Sequence, residues 1–377
     1  MFRVDHISQW SHYNPVDYSG QWGDNLYLLQ NYEIDTGGVV WFVGYVTMQV
    51  DLREVFYICI KSRDPSLKLE GLVSAQSRLP AGHPILPVLA GKQSSVEAGI
   101  GGEDRVAEVL RKVSFSFDHH IFHDLSPSPT ENFQMDTFML SPWFGVVLEV
   151  KNIGGSLEFK DYPPQLVRTR EDGHRDGFES PVVQLTRNCN LIVDWINYHG
   201  LKLPIYGAVV LAYPKQIVAV PPANTNLLFP NMVSSFINSI PRHERKLDAV
   251  SFQWLSDELL KSHQPFIPQP ICESYKLPFS DFQNGGRCVM CGRIGMVRLP
   301  RTWVCPYCDA KDHLAHERAL REWFLIYKRS ITNKECREFL GLEDIHTAKR
   351  ILKSMNWEYE GTFRNRSYIM DLNNKNF

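Results

Sequence analysis

Four of the chain's eight cysteines fall in the pattern C-x2-C-x13-C-x2-C: Cys288, Cys291, Cys305 and Cys308. Two intervening residues let one tight turn present two sulfurs to a single ion. Two such turns complete a tetrahedral site with no open position. The pattern predicts a zinc ribbon over residues 287–312. Gly292, Gly295 and Pro306 supply turn chemistry, and Val297, Trp303 and Val304 supply short strands. So small a core lacks burial of its own, and the metal provides the missing folding free energy. A closed four-thiolate set points to a structural zinc, with a pair of redox dithiols as the weaker alternative. Cys59, Cys189, Cys272 and Cys336 are scattered. In a reducing compartment, paired cysteines read as metal ligands before disulfides.

The 377 residues leave room for two or three domains, so the ribbon is one module among others. A hydrophobic share of 44% against 22% charged excludes a disordered chain. Forty Lys and Arg against 42 Asp and Glu give a net charge of −2, so any nucleic-acid-binding surface must be local. The longest mostly apolar run, Val39 to Val50, is shorter than the about 20 residues of a membrane span. Phe2, Arg3, Val4, Asp5 and His6 open the chain without an apolar h-region, so the expected location is the cytoplasm. Residues 1–60 read as an N-terminal extension of unknown role. The strand-like Val39–Val46 fits a small accessory sheet, and Met48 fits an alternative start.

Residues 62–262 read as one α/β domain. A helix is expected at Leu67–Ser77, followed by Pro-broken sequence through Pro80, Pro84 and Pro87. Val106, Val109, Leu110 and Val113 recur at helical spacing and predict a helix over Glu103–Val113 with an acidic first turn. Strands are expected at His119–Leu125, Phe133–Leu140 and Phe144–Lys151, the last two joined as a hairpin at Pro142-Trp143. Leu157–Phe159 extends the sheet in this reading, and residues 160–180 form a loop. Pro181–His199 is a second amphipathic helix, and Tyr206–Tyr213 and Gln216–Val220 are buried strands. Side chains two apart on a strand share a face, so Glu149, Lys151 and Val147 point together. The hairpin brings Asp136 beside Glu149. Two close carboxylates repel, and a divalent cation relieves the repulsion. The Lys151 amine next to them suits the orientation or deprotonation of a water attacking phosphorus. Taken alone, an E-x-K tripeptide is a surface ion pair. His119, His120, His123 and Asp124 resemble a metal cluster, but strand alternation separates His120 from His119 and His123.

The segment of about 62–200 resembles the nuclease-related domain (NERD) family of the PD-(D/E)xK nuclease superfamily. The carrying features are Arg78-Leu-Pro80 with His83-Pro84, Gly99-x-x-Gly102-Glu103 opening the helix, and Met135-Asp136. They continue with Gly145-x-x-x-Glu149-Val-Lys151-Asn152, Gly155, and Pro181-x-x-Gln184. Met135 stands where the superfamily pattern has proline. The resemblance implies a restriction-endonuclease-like mixed sheet flanked by helices. It implies phosphodiester cleavage with Mg²⁺ or Mn²⁺, most readily of DNA. Asp136 and Glu149 match the metal-binding carboxylates, Lys151 the catalytic lysine, Glu103 the helix acid and Gln184 a helix residue near the sheet edge.

Pro265, Pro268, Pro270 and Pro278 mark a linker over 263–286 before the ribbon. Residues 313–377 read as a winged helix-turn-helix-like module. His316–Arg329 is its first helix. Thr332-Asn-Lys-Glu335 is a capping box starting a helix through Leu340, and Asp344 caps the next. Trp357–Tyr359 and Ser367–Met370 pair as a wing. Lys349, Arg350, Lys353, Arg364 and Arg366 form a phosphate-contacting set, or else a solvated face on a protein-interaction domain. Two functions follow: a metal-dependent nuclease held on nucleic acid by its C-terminal modules, or a catalytically silent nuclease fold acting as a nucleic-acid or protein adaptor. A transcription regulator with a sensor core is a third, weaker reading.

Overall fold

A computed structural model describes residues 58–127, 133–362 and 365–372. The expected strand at 39–46 and Arg364 lie outside the described residues. Val55–Phe377 is one compact unit.

The central sheet is mixed, in the order β1-β2-β3-β4-β8-β10. Its strands are β1 (Cys59–Lys61), β2 (His120–Leu125), β3 (Met135–Leu140), β4 (Gly145–Lys151), β8 (Ile205–Leu211) and β10 (Asn226–Leu228). β2, β3 and β4 run antiparallel, and β8 lies parallel to β4 along its whole length. β4 is buried from Gly145 to Val150 because both its faces are covered. Val146, Leu148 and Val150 pack with Val106 and Leu110 of α2 (Leu86–Arg111) and with Val233 and Ile237 of α4 (Val233–Ser239). Val147 packs on the other side with Leu185 and Ile192 of α3 (Pro181–Tyr198) and Leu255 of α5 (Ala249–Ser262). β1 belongs to this sheet, so the α/β body begins before residue 62.

Four local expectations fail. The helix predicted over Glu103–Val113 is the second half of α2, which starts at Leu86 with Pro87 in its first turn. Glu103 therefore lies well inside the helix and not in an acidic first turn. The glycines at 91, 99, 101 and 102 lower helix propensity, and of the four only Gly102 packs closely, against Asn152 and Ala212. Residues 160–180 are not a loop. β5 (Ser156–Asp161), β6 (Pro164–Thr169) and β7 (Arg175–Glu179) join β9 (Ile217–Val220) in a second sheet of order β7-β6-β5-β9. Leu157, Phe159 and Leu166 close on Leu211 beneath it. Leu157–Phe159 thus starts a new sheet, and β9 is largely exposed rather than buried.

The C-terminal modules share a core with the N-terminal helices. Leu67, Leu72 and Ala75 of α1 (Leu67–Arg78) and Leu89 of α2 pack in one cluster with Cys288, Trp303, Leu320 and Phe324. Arg78 is fully buried there. Its Nε donates to Glu322 at 2.6 Å, and its Nη1 donates to the carbonyls of Gln283 and Gly285. Arg321 forks onto Glu70 at 2.6 and 2.8 Å. The 263–286 segment includes α6 (Ile271–Tyr275), whose Ile271 and Cys272 join this cluster. It is packed rather than a bare spacer.

The cysteine segment forms a four-stranded antiparallel sheet of β11 (Gly286–Arg287), β12 (Ile294–Leu299), β13 (Thr302–Val304) and β14 (Lys311–Asp312). Helices α7 (Ala315–Ile326), α8 (Asn333–Leu340) and α9 (Ile345–Ser354) follow. They carry a three-stranded sheet of β15 (Ile331–Thr332), β17 (Ser367–Ile369) and β16 (Glu358–Glu360). The Thr332–Glu335 capping box forms, and Asp344 caps α9.

Candidate active site and cysteine cluster

β3 and β4 pair with Thr137 opposite Leu148. The same register, extended by one residue, sets Asp136 against Glu149. Asp136 Oδ2 accepts a hydrogen bond from the Val150 N–H at 2.7 Å, tying the strand ends together. Lys151 Nζ reaches Glu149 Oε1 at 2.6 Å, as two residues sharing a strand face should. Glu149 is 4% exposed and Asp136 is half-buried. Burial, then the Asp136 charge, pushes Glu149 up to about 7 against the opposing Lys151 and Arg187. Burial also raises Asp136, opposed by Lys151 and the Val150 N–H. For Lys151 burial opposes the charge, but Glu149 and Asp136 outweigh it and hold the amine above its ordinary value. Lys151 is therefore an ammonium here, suited to orienting an anion or a water rather than accepting a proton.

Glu103 approaches from α2. A Cβ on Gly102 would stand 2.9 Å from Asn152 Cβ and 3.1 Å from Ala212 Cβ, so glycine permits the close passage of α2 over the ends of β4 and β8. Asn152 Nδ2 locks that approach by donating to the Ala98 carbonyl at 2.8 Å. Burial and then the Asp136 charge push Glu103 up to about 8, against Arg63. Arg63 Nε lies 2.8 Å from Glu103 Oε2, and its Nη1 lies 2.7 Å from Asp104. Asp124, at the end of β2 with φ 53°, adds a further negative charge to both Glu103 and Asp136. A cavity of about 1030 Å³ opens beside Glu103, with Arg63, Lys68, Asp124 and Phe266 in its wall.

Gln184 does not touch the carboxylate pair. Its Nε2 donates to Glu179 Oε2 at 2.8 Å. One helical turn on, Arg187 pairs with the other oxygen of Glu179 at 3.0 Å. Asn188, 2% exposed, donates to the Gln134 carbonyl at 2.8 Å and lies 3.5 Å from Glu149 Oε2. Sequence reading missed Arg63, Asn188, Arg187 and Glu179. The i+3 and i+4 spacing from Gln184 could have signalled Arg187 and Asn188. Nothing local signals Arg63, which is 40 residues from its partner.

The segment carrying these groups has a recognisable family. Residues 98–212 match the nuclease-related domain (NERD) family. The match takes in Glu103, Asp136, Glu149, Lys151 and Gln184 but less than half of the chain. Neither curated proteins nor solved structures gave a match. Arg78-Leu-Pro80 and His83-Pro84 lie outside the nuclease-related segment, and the structure uses them as anchors for the C-terminal core. His83 Nε2 meets Asp281 at 3.1 Å.

The nuclease-related site offers hard oxygen donors whose proton affinity is raised first by burial and, for Glu149 and Glu103, then by the Asp136 charge, a cost that a divalent cation relieves. The donors do not form a closed cage. Among the described residues, only the four cysteines place three or more metal-ligating atoms all within 4.8 Å of one another. The histidines do not cluster around an ion. Their Nδ1 atoms pair separately, His119 with the Phe117 carbonyl, His120 with Ser256 and His123 with Thr137. Burial lowers all three.

Cys288 Sγ and Cys308 Sγ are 3.7 Å apart, and Cys291 Sγ and Cys305 Sγ are 3.5 Å apart. A Zn–S bond of about 2.3 Å sets tetrahedral thiolates about 3.8 Å apart, so the sulfurs fit that ion. The Cys291 and Met290 backbone N–H groups draw the Cys288 thiol down to about 7, favouring the thiolate. No described helix is long and apolar enough to cross a membrane.

Lys349, Arg350 and Lys353 are exposed on α9, and among the described residues none has a carboxylate partner. Arg366 lies over the Tyr359 ring at 4.1 Å. Burial, then the Arg350 charge, holds the Arg298 guanidinium of β12 below its usual value, so the cysteine module and α9 carry cations side by side.

Proposed function

We propose that the protein is a metal-dependent endonuclease or phosphodiesterase acting on nucleic acid, DNA foremost. The carrying observation is the arrangement of Asp136, Glu149 and Lys151 at the paired ends of β3 and β4, inside the segment that matches the nuclease-related family. Asp136 and Glu149 would hold Mg²⁺ or Mn²⁺, with Glu103 completing the shell when it leaves Arg63. The ion would supply Lewis-acid stabilisation of charge on phosphorus-bound oxygen. Lys151 holds the Glu149 carboxylate in place and orients the attacking water. Asn188 restrains the second Glu149 oxygen. Cys288, Cys291, Cys305 and Cys308 would bind structural Zn²⁺ in a ribbon. The C-terminal helices would act as a winged helix-turn-helix-like module, with Lys349, Arg350, Lys353, Arg364 and Arg366 contacting phosphates.

The test is cleavage of single, duplex and structured DNA and RNA with Mg²⁺ or Mn²⁺. Removing one preorganised donor at a reacting centre costs roughly 10²–10³-fold, so Lys151→Ala should leave little activity. Inertness of the parent protein toward every substrate with both ions would end the reading. The adaptor alternative draws on the Lys151–Glu149 pair and the uncaged acids. It predicts nucleic-acid or protein binding that survives Lys151→Ala and fails on zinc removal.

A further inference from the structure

The clasp on Glu179 has the chemistry of an anion site. Gln184 and Arg187 lie on neighbouring turns of one face of α3 and close on the two oxygens of one carboxylate. Glu179 is the last residue of β7, an edge strand, and its side chain is 54% exposed. An exposed pair of this kind contributes little to folding. Arg187 Nε is buried without a hydrogen-bond partner, so the guanidinium carries a donor that the clasp does not use. A phosphate presents to Gln184 Nε2 and Arg187 Nη1 the same pair of charged acceptor oxygens that Glu179 presents, so it can replace the carboxylate donor for donor. α3 begins at this point without a side-chain cap, adding the positive end of an 18-residue helix. The clasp adjoins the candidate active site. The Arg187 charge acts on Glu149, the Lys151 charge acts on Glu179, and Asn188 on the next position touches Glu149.

We infer that Gln184 and Arg187 form a subsite for a backbone phosphate of the nucleic acid, next to the reacting one, and that Glu179 occupies it until substrate displaces it. The inference rests on the nuclease reading and names how that site grips its substrate. Glu179 is then a competitor, and its removal should help binding where the loss of Arg187 harms it. A merely structural ion pair would make the two substitutions act alike.

The experiment measures binding of a labelled short DNA duplex and of the matching single strand by the full-length protein, with Ca²⁺ replacing Mg²⁺. Arg187→Ala should weaken binding about tenfold, the loss of one charge-assisted contact. It should also flatten the log–log salt dependence by about 0.7–0.9. Glu179→Gln should tighten binding several-fold at low salt. Thermal midpoints and circular dichroism check the fold, and Gln184→Ala gives a second, uncharged probe that should weaken binding. Unchanged or weaker binding by folded Glu179→Gln overturns the subsite, as does unaltered binding by Arg187→Ala. If the parent protein cleaves nucleic acid while these variants behave alike, the subsite fails and the nuclease reading stands. If the parent neither binds nor cleaves, both fail.

Discussion

The two candidate metal sites are assembled in opposite ways. The cysteine site draws its ligands from two turns 13 residues apart in a four-stranded sheet, and its sulfurs sit 3.5 and 3.7 Å apart. The carboxylate site draws on α2, β3 and β4, and among the described residues its acids do not bring three ligating atoms within 4.8 Å of one another. The first is closed and soft, the second open and hard. A closed site holds structure, whereas an open one leaves coordination positions for water and substrate. Metal loss should therefore unfold the module at one site, and at the other abolish function while leaving the protein folded.

The largest effect is expected at the cysteines. Apparent zinc binding in such modules is worth about 10–16 kcal/mol, so chelation or Cys305→Ser should melt the ribbon. The damage should reach α1 and α7, because Cys288 and Cys305 share a core with Leu72 and Phe324. Zinc content with limited proteolysis checks this, and an intact C-terminal half after complete zinc loss would break the comparison.

At the carboxylate site the sign reverses. Glu149 and Glu103 titrate at about 7 and about 8, above the ordinary 4.5, so folding favours their protonated forms. That contribution is complete below about pH 4.5 and is lost as pH rises through 7 and then 8. Thermal stability without divalent metal should therefore decline from pH 5 to 8.5. Mg²⁺ should flatten the decline, and Glu149→Gln should raise the melting temperature at pH 8 while abolishing cleavage. A stability loss in Glu149→Gln at pH 8 would contradict the open-site account.

Gly102→Ala tests how the open site is positioned. Overpacking of this kind costs about 1–3 kcal/mol, and it should also weaken Mn²⁺ binding by pushing Glu103 away. Calorimetric Mn²⁺ titration of the folded variant reads the second effect apart from the first. The smallest effect belongs to α9. Replacing Lys349, Arg350 and Lys353 by Ala should leave the melting temperature unchanged and reduce the salt slope of DNA binding by up to about 2.7, one contact at a time. An unchanged slope would assign that face to another partner.

The legibility of these regions in the sequence follows the same division. The knuckles, the Thr332 capping box and the Asp344 cap depend on residues within a few positions of each other. The β3–β4 hairpin and the shared face of Glu149 and Lys151 follow from strand alternation. The first half of α2 was illegible because Pro84 and Pro87 read as breaks, whereas Pro87 sits in the first helical turn, where a missing N–H costs nothing. The second sheet was missed because β6 buries only Leu166, and β7, charged and interrupted by Gly177, buries no residue fully. Glu103 was identified through family resemblance, but its place inside a helix and its hold by Arg63 were not legible. Gln184 was placed on the right helix, but its engagement with Glu179 was not foreseen.

The sequence by itself determined the four-sulfur cluster, the identity of Asp136, Glu149 and Lys151 and the faces they share, because short-range spacing and strand period fix them. Folding in three dimensions was needed to show that α1 joins the C-terminal core through buried Arg78 and that Arg63 holds Glu103. Those contacts join residues far apart in the chain, and no local periodicity encodes which distant charges must meet to be buried together.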